Sequence, residues 1–380
     1  MGGTRARWCL TRRTEDSTFE SEGDIMAVRD WFRRGRRGRD TSEVIEITVP
    51  AHLALPTVLD ESIRRLGPTH PETVEVARRL AVSLADLPER RAEALELFRQ
   101  VTSTLAATLG PDHPDTLGAM AEAAALLHVD GQARHAEEMW RYVFDARTES
   151  LGPAHPDTLR AACGLAQALD ELRRAPEAAA LWGHVADHRT RRLGAEHPDT
   201  LTAQHNLAAT LVRTERLAEA ERVLRGLLRA APRPEGRDAA RRLAVRGNLA
   251  AVLYRRGELA EAETQFRAVL AEGERLSGAD APQTLTARNN LAATLHDLGR
   301  WEEAESLLRT VVEGRARVLG EDHLDTCAAR DNLASVLLAR GGHEEEAASL
   351  LRRCLRDYGR LLGEDHPKAR EAGEKLAGLT

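Results

Sequence analysis

The sequence predicts an all-α protein, a solenoid in which pairs of helices repeat along the chain. Its composition favours helix, since only 3% of the 380 residues are aromatic and the good helix formers alanine, leucine, arginine and glutamate dominate. A nine-residue motif recurs every 42 or 43 residues. Small and bulky apolar residues recur with the same period, at spacings that place them on one helical face.

The motif is represented by LGPDHPDTL, residues 109–117, which we interpret as the end of one helix and the start of the next. Gly110 suits the left-handed residue after a helix end, and Pro111 cannot continue the helix. Pro114 suits the first position of a new helix, where Asp115 meets the positive end of the helix dipole. The other copies lie at residues 66–74, 151–159, 193–201, 319–327 and 362–370, with weaker copies at 235–243 and 277–285.

The histidine of the motif has an alternative interpretation as a metal ligand. Equivalent points on packed helices lie roughly 8–10 Å apart, whereas zinc takes its ligands at about 2.0–2.3 Å. Two such histidines therefore cannot share one ion. Two copies also replace the histidine, with Ala239 and Ala281. We expect no metal, and no cofactor motif is present.

Each repeat is predicted to hold two helices, A and B. Helix A runs from the motif to a turn such as LHDLG, residues 295–299, and helix B runs from there to the next motif. In helix B an alanine and a bulky residue four positions later share one face. We expect the alanine to let the two helices approach closely and the bulky residue to fill the space between them. The alanines are Ala94, Ala136, Ala178, Ala220, Ala262, Ala304 and Ala347, and the bulky residues are Phe98, Trp140, Trp182, Leu224, Phe266, Leu308 and Leu351.

These repeats resemble the tetratricopeptide repeat, in the 42-residue form found in kinesin light chains. The stretch NLAATLHDLGRWEEAESLLR, residues 290–309, fits that pattern best, and the resemblance covers about residues 53–376. It implies a right-handed superhelix whose concave surface is lined by the A helices and binds other proteins. Kinesin light chains also carry an N-terminal heptad coiled coil, whereas residues 1–50 show no heptads, so a motor role is not implied. Similar repeats form sensor arrays of bacterial signalling NTPases, but the chain has no GxxxxGK(S/T) phosphate loop.

The repeats are predicted to form one solenoid domain over residues 53–377, with about seven repeats and a capping helix at each end. The first cap is predicted in TVLDESIRRLG, residues 57–67, and the last from about 367 to 377. Residues 1–52 are predicted to be a basic, disordered tail, because residues 29–39 hold six arginines and one aspartate. Contact of this tail with an anionic membrane or with RNA is the alternative.

Charge, hydropathy and cysteine usage exclude several classes of protein. The net charge of −6 gives no reason to expect general nucleic-acid binding. No apolar run approaches 18 residues and no secretory signal is visible, so we expect no membrane span and a cytoplasmic protein. The four cysteines form no CxxC pair, which is typical of reduced thiols. Only Lys368 and Lys375 are lysines among the 54 basic residues, an arginine bias that favours a GC-rich, bacterial genome.

The binding site is predicted on the A helices, where asparagine recurs at one position in four consecutive repeats. Asparagine is a poor helix former, and its amide can pair with the backbone of an extended peptide. The alternative is that each amide bonds to the neighbouring A helix and fixes the stacking of the repeats. Earlier repeats hold Arg79, Glu122 and Gly164 at this position. The row is Asn206, Asn248, Asn290 and Asn332, and its predicted neighbours in the groove are His205, Arg213, Tyr254, Arg255, Asn289, His296, Asp297 and Asp331.

These patterns predict a non-enzymatic scaffold that binds a partner peptide or domain in the groove. The arginines near the asparagines favour a partner with acidic residues. No nucleophile elbow, zinc-protease or dinucleotide motif is present. The alternative function is a regulatory or sensor subunit that acts with a separate NTPase or transcription regulator and changes shape on binding. The proline-containing connection APRPEGRD, residues 231–238, motivates that alternative.

Overall fold

The computed structural model describes residues 50–230 and 237–379, which contain sixteen α-helices, one short 3-10 turn and no strand. The all-α prediction is confirmed. The 3-10 turn is Pro88–Arg90. In chain order the helices are α1 (Ala51–Leu66), α2 (Pro71–Ala85), α3 (Arg91–Leu109), α4 (Pro114–Val129), α5 (Ala133–Leu151), α6 (Pro156–Glu171), α7 (Ala175–Leu193), α8 (Pro198–Arg213), α9 (Leu217–Ala230), α10 (Arg237–Arg255), α11 (Leu259–Ser277), α12 (Pro282–Asp297), α13 (Trp301–Leu319), α14 (Leu324–Arg340), α15 (Glu344–Leu362) and α16 (Pro367–Ala377).

The described ranges contain seven helix pairs in succession. Even-numbered helices from α2 to α14 are the A helices, odd-numbered helices from α3 to α15 are the B helices, and α1 and α16 flank the pairs. The chain divides into two compact units, residues 1–206 and 207–380. In the first unit consecutive helices pack from α1 to α7, and the A helices α2, α4 and α6 also contact one another in order. In the second unit consecutive helices pack from α9 to α16, and the A helices α10, α12 and α14 contact one another in order.

The histidine of the repeated motif caps the start of helix A. Its imidazole Nδ1 accepts the backbone N–H of the residue two positions later, at 3.1–3.3 Å. This bond satisfies one of the N–H groups that a helix start leaves unpaired. The interpretation of the motif as a helix end followed by a helix start is confirmed, and capping is a role that the sequence analysis did not assign to the histidine. The capping residues are His70, His113, His155, His197, His323 and His366.

Other residues of the motif act as their positions predict. Gly110 follows α3 with φ of 104°, a conformation that glycine adopts without strain. The Thr116 hydroxyl donates to the Gly110 carbonyl at 2.8 Å and so ties the end of α3 to the start of α4. In the weaker copy at residues 235–243 no proline marks the start of helix A. There α10 begins at Arg237, upstream of the position that Pro114 holds in α4.

The core of each repeat lies between helices A and B, as the alanine spacing predicts. All seven of the recurring alanines are 0% exposed, and the bulky residues four positions later are at most 6% exposed. Close backbone approach at alanine and filling by the larger side chain give the dense packing of a protein interior. The burial that these two roles require is confirmed.

The first helix is longer than predicted. It begins at Ala51 and includes Pro56, whereas the sequence predicts the first cap in residues 57–67. Leu55 is buried, and Ala51 and Leu59 pack against the core cluster of the first repeats. Burial of this apolar face explains the additional turns.

Several predicted features fall outside the described residues. These are the basic segment 29–39 within the predicted tail, and most of the proline-containing connection at 231–238. Within the described ranges, no helix combines the length and the apolar character that crossing a lipid bilayer requires.

Exchanging the capping residue tests the role of the histidine. His155→Ala is expected to lower the free energy of unfolding by about 1 kcal/mol, because the Asp157 backbone N–H loses its acceptor. Ala281→Asn is the matched variant that adds a cap, because Ala281 occupies the same position and has no capping side chain. It is expected to raise the free energy of unfolding by about 0.5–1 kcal/mol. Urea unfolding followed by circular dichroism measures both changes. Destabilisation by both variants would contradict the capping role.

Candidate functional site

The predicted site residues lie on the A helices, and we call the side of these helices that carries the asparagine row the A-helix face. In the second unit this face is defined by Asn248, Asn289, Asn290, Asp331 and Asn332. Asn206 and His205 belong to the first unit, where both are half-buried. Among the others, Asn248, Arg213, Arg255 and Asp297 are exposed, whereas Tyr254, Asn289, Asn290, His296, Asp331 and Asn332 are half-buried.

One side-chain contact recurs at several junctions between successive A helices. At these junctions the eighth residue of one A helix bonds to the ninth residue of the next A helix along the chain. In the second unit Asn332 Nδ2 donates to Asn289 Oδ1 at 3.0 Å, and Lys375 Nζ donates to Asp331 Oδ1 at 2.9 Å. The contact therefore keeps its place in the repeat while its chemistry changes.

The asparagines of the row differ in whether their side-chain amides make this contact. Asn332 uses its amide to bind the preceding A helix, which is the stacking role. Asn290 accepts a long bond of 3.5 Å from Asn289 in its own helix. Asn248 is exposed and makes no hydrogen bond to the described part of the chain through its side chain. Asn248 is thus the member of the row whose donor and acceptor groups face solvent.

A second bridge joins α10 and α12 in the second unit. The Tyr254 hydroxyl donates to Asp297 Oδ2 at 2.7 Å, and His296 Nδ1 lies 3.0 Å from Asp297 Oδ1. Burial, followed by the bond to Asp297, raises the pKa of Tyr254 to about 12. Burial alone would raise the pKa of Asp297, but the bonds from Tyr254 and His296 outweigh it and hold that pKa below its usual value. The bridge therefore keeps a protonated tyrosine beside a carboxylate at neutral pH.

The two predicted groove arginines of the second unit have protein partners. Arg255 forms an ion pair of 2.5 Å with Glu215 and donates to the Val212 carbonyl at 3.3 Å. Arg213 donates to the Thr210 hydroxyl at 2.9 Å. Glu215 thus balances part of the Arg255 charge. This ion pair reduces the attraction of Arg255 for an acidic ligand.

The first unit contains a cavity that the sequence analysis did not predict. It has a volume of about 620 Å³ and lies among α2, α4, α5, α6, α7 and the start of α8. We call it the arginine cavity, because five arginines line it and only two carboxylates, Glu122 and Asp199, do so. The arginines are Arg78, Arg147, Arg160, Arg189 and Arg192.

Small residues on the A helices open this cavity. Ala121, Cys163 and Gly164 line it at the positions that hold asparagine or aspartate in α12 and α14. Arg78 donates to the two carboxylate oxygens of Glu122 at 2.8 and 2.6 Å, and these bonds hold the Glu122 side chain against α2. The interruption of the asparagine row at residues 122 and 164 was the sequence signal for the cavity.

Gly164 also determines where the Trp140 indole lies. A Cβ atom at Gly164 would approach Trp140 Cε2 to 2.3 Å, which is shorter than a van der Waals contact. The Trp140 side chain is 6% exposed and forms part of the cavity wall. Glycine is therefore needed at 164 for the indole of the preceding B helix to occupy this place.

The described residues offer little for metal or nucleophilic chemistry. No group of three or more His, Cys, Asp or Glu side chains is placed there to share a metal ion. Burial, followed by the charge of Asp357, raises the pKa of the Cys327 thiol to about 11. Burial also raises the pKa of Cys354 to about 12. Both thiols are therefore protonated at neutral pH and are poor nucleophiles.

Family models for the tetratricopeptide repeat match most of the described chain. One matches residues 77–115, 158–199 and 200–231, and another matches residues 241–316 and 286–360. Together these matches cover more than half of the chain. The chain belongs to the tetratricopeptide repeat family.

Solved tetratricopeptide repeat structures are similar to this chain. A signal transduction ATPase with numerous domains and a tetratricopeptide repeat sensor, from Pyrococcus horikoshii, matches with a TM-score of 0.55 and 11% identity over 87% of this chain and 49% of that chain. The C-terminal part of a tetratricopeptide repeat protein from Cytophaga hutchinsonii matches with a TM-score of 0.50 and 14% identity, over 78% and 98% of the two chains. Kinesin light chain TPR-like repeats from Podosopora anserina are 26% identical over 54% of this chain and 97% of theirs, with a TM-score of 0.49. No curated protein sequence matches this chain with significance.

Membership of the family fixes the general kind of function. Tetratricopeptide repeats form scaffolds for protein interaction, and this chain has the helix pairs and buried alanines of such a scaffold. The two matches with TM-scores of 0.50 and above show the shared fold.

Two glycine substitutions on the tetratricopeptide A helices test the packing at the cavity. Gly164→Ala is expected to lower the free energy of unfolding by about 1–3 kcal/mol, because the new methyl group must displace the Trp140 indole. Gly118→Ala is the matched control, since its Cβ would meet Arg78 Nη2 at an ordinary 3.8 Å. The control should raise stability by up to about 1 kcal/mol through helix propensity. Thermal unfolding by circular dichroism separates the two, and equal shifts in both variants would refute the assigned contact.

Proposed function

We propose that this chain is a scaffold that binds an extended partner peptide, or a partner domain, along its A-helix face. The observation that carries the proposal is the exposed, unbonded amide of Asn248. An amide presents a donor and an acceptor together, which matches the N–H and C=O groups of an extended peptide backbone. Asn332 occupies the same position in α14, but its amide donates to Asn289. Asn332 therefore serves as the control residue for Asn248, whose amide makes no hydrogen bond with the described residues.

The partner is proposed to carry acidic residues and to be a protein rather than a nucleic acid. The arginines beside the asparagines, among them the exposed residue Arg213, support the acidic preference, while the net charge of −6 argues against general nucleic-acid binding. A cytoplasmic location is proposed as well. Cys163, Cys327 and Cys354 are buried free thiols, which is typical of a reducing compartment.

Alanine variants of the row test the proposal directly. Asn248→Ala combined with Asn290→Ala should weaken partner binding about tenfold or more, because each lost hydrogen bond to a ligand contributes about 0.5–1.5 kcal/mol. Asn332→Ala is the matched control, since its amide bonds to Asn289 and should affect stability rather than binding. The measurement is a pull-down from native cell extract with the wild type and both variants, read by quantitative mass spectrometry.

The comparison between the variants decides the outcome. A partner retained by the wild type and by Asn332→Ala but lost by the double variant supports binding at the A-helix face. A partner retained equally by all three proteins would move the site away from the asparagines. Circular dichroism of each variant checks that a loss of binding does not come from unfolding.

A regulatory or sensor subunit is the second candidate function. The likeness in fold to the Pyrococcus horikoshii ATPase, which carries a tetratricopeptide repeat sensor, favours it. The chain would then act with a separate NTPase or transcription regulator, through a conformational change on binding. Small-angle X-ray scattering of the full chain should show different radii of gyration with and without a captured partner peptide. Superimposable curves at saturating peptide would rule out this mode of action.

A further inference from the structure

The wall of the arginine cavity of the first unit is rich in guanidinium groups. Five arginines and only two carboxylates line the cavity. Its volume of about 620 Å³ lies within the roughly 300–1,000 Å³ typical of sites for small organic ligands. Trp140 and Leu159 provide an apolar part of the wall.

Arg147 is the most deeply buried of the five arginines. It is only 8% exposed, and its Nη1 donates to the Asp157 carbonyl at 3.2 Å. In the described part of the chain no carboxylate oxygen lies within 4.0 Å of its guanidinium. Buried charges are almost always paired with an opposite charge. Arg147 therefore brings a desolvated positive charge to the cavity wall with no carboxylate in direct contact with it.

Arg315 in the second unit shows which part of this arrangement belongs to the repeat itself. It holds the same place in α13 that Arg147 holds in α5, is 9% exposed, and donates Nη1 to the Asp325 carbonyl at 2.9 Å. The bond from arginine to carbonyl is thus architectural. What distinguishes Arg147 is the cavity beside it and the further arginines that share that cavity.

The remaining arginines differ in how much charge they can offer a ligand. Arg78 is engaged by Glu122, Arg160 pairs with Asp157 at 2.7 Å, and Arg189 donates Nη1 to the Asp199 carbonyl at 3.0 Å. Arg192 is exposed and forms no ion pair with described residues. Arg147 and Arg192 are therefore the groups best placed to meet an incoming anion.

We propose that the arginine cavity binds a small organic anion that carries two or more phosphoryl or carboxylate groups. Guanidinium groups match the geometry of both kinds of group, and several together select a polyanion. The apolar wall at Trp140 and Leu159 would contact the carbon skeleton of the ligand. This site is built from residues of the first unit alone, and it does not depend on the peptide proposal.

Calorimetric titration of the full-length protein tests the site. Pyrophosphate and ATP represent phosphoryl ligands, citrate represents carboxylate ligands, and a decapeptide of glutamate represents an acidic partner segment. At least one of the three small anions should bind. Arg147→Met, which removes the charge and retains the aliphatic stem, should weaken that binding tenfold or more, equivalent to about 1.4 kcal/mol. Arg315→Met removes the equivalent architectural bond and should change the affinity less than about twofold, because it does not alter the cavity.

A second variant, at an exposed residue of the cavity wall, tests the site if Arg147→Met does not fold. Arg192→Glu reverses a charge on the rim and should also weaken binding tenfold or more while leaving the fold intact. The relative affinities of pyrophosphate and citrate then assign the preferred group. Absence of binding for all three small anions at millimolar concentration would overturn the proposal. So would equal losses in the Arg147 and Arg315 variants, or binding of the glutamate peptide alone.

Discussion

The close approach of helices A and B at a fully buried alanine is the contact on which every repeat depends. Alanine has no side-chain atom beyond Cβ, so the two backbones can come near each other, and the bulky residue one turn later fills the space that remains. The alanine has no exposed surface in any of the seven repeats. Because apolar side chains inside each repeat make this contact, the polar positions of the A helices remain able to vary.

That variation is visible where one A helix meets the next. The same pair of positions holds Arg78 with Glu122, Asn289 with Asn332, and Asp331 with Lys375. The two positions in the repeat are the same in all three contacts. The first contact is an ion pair, the second is a hydrogen bond between two amides, and the third is again an ion pair. Partly exposed ion pairs contribute only about 0–1 kcal/mol, so these contacts add little stability compared with the buried core. Their residues can therefore change without loss of the fold, and the changes alter what the A-helix face presents to a ligand.

Each of the two compact units presents its own chemistry. In the second unit amide and carboxylate side chains occupy the variable positions, and Asn248 faces solvent with its hydrogen-bonding groups unused. In the first unit Ala121, Cys163 and Gly164 leave the same positions small, and the space becomes a cavity with an arginine-rich wall. The same repeat can thus present either exposed amides or an arginine-lined cavity by exchange of a few side chains.

The sequence by itself determined the helices, their order and their buried positions. Proline and glycine act locally, so most helix ends could be predicted from the residues beside them, as Pro114 and Gly110 show, whereas the start of the first helix at Ala51 depended on burial against the core. The capping bond of His113 was missed, although the histidine stood next to the predicted helix start, because capping depends on how the imidazole is turned. Only the tertiary structure distinguished Asn248 from Asn332 and revealed the cavity around Arg147. Those features depend on side chains from different repeats, such as Asn289 and Asn332, 43 residues apart, which meet only when one helix packs against another.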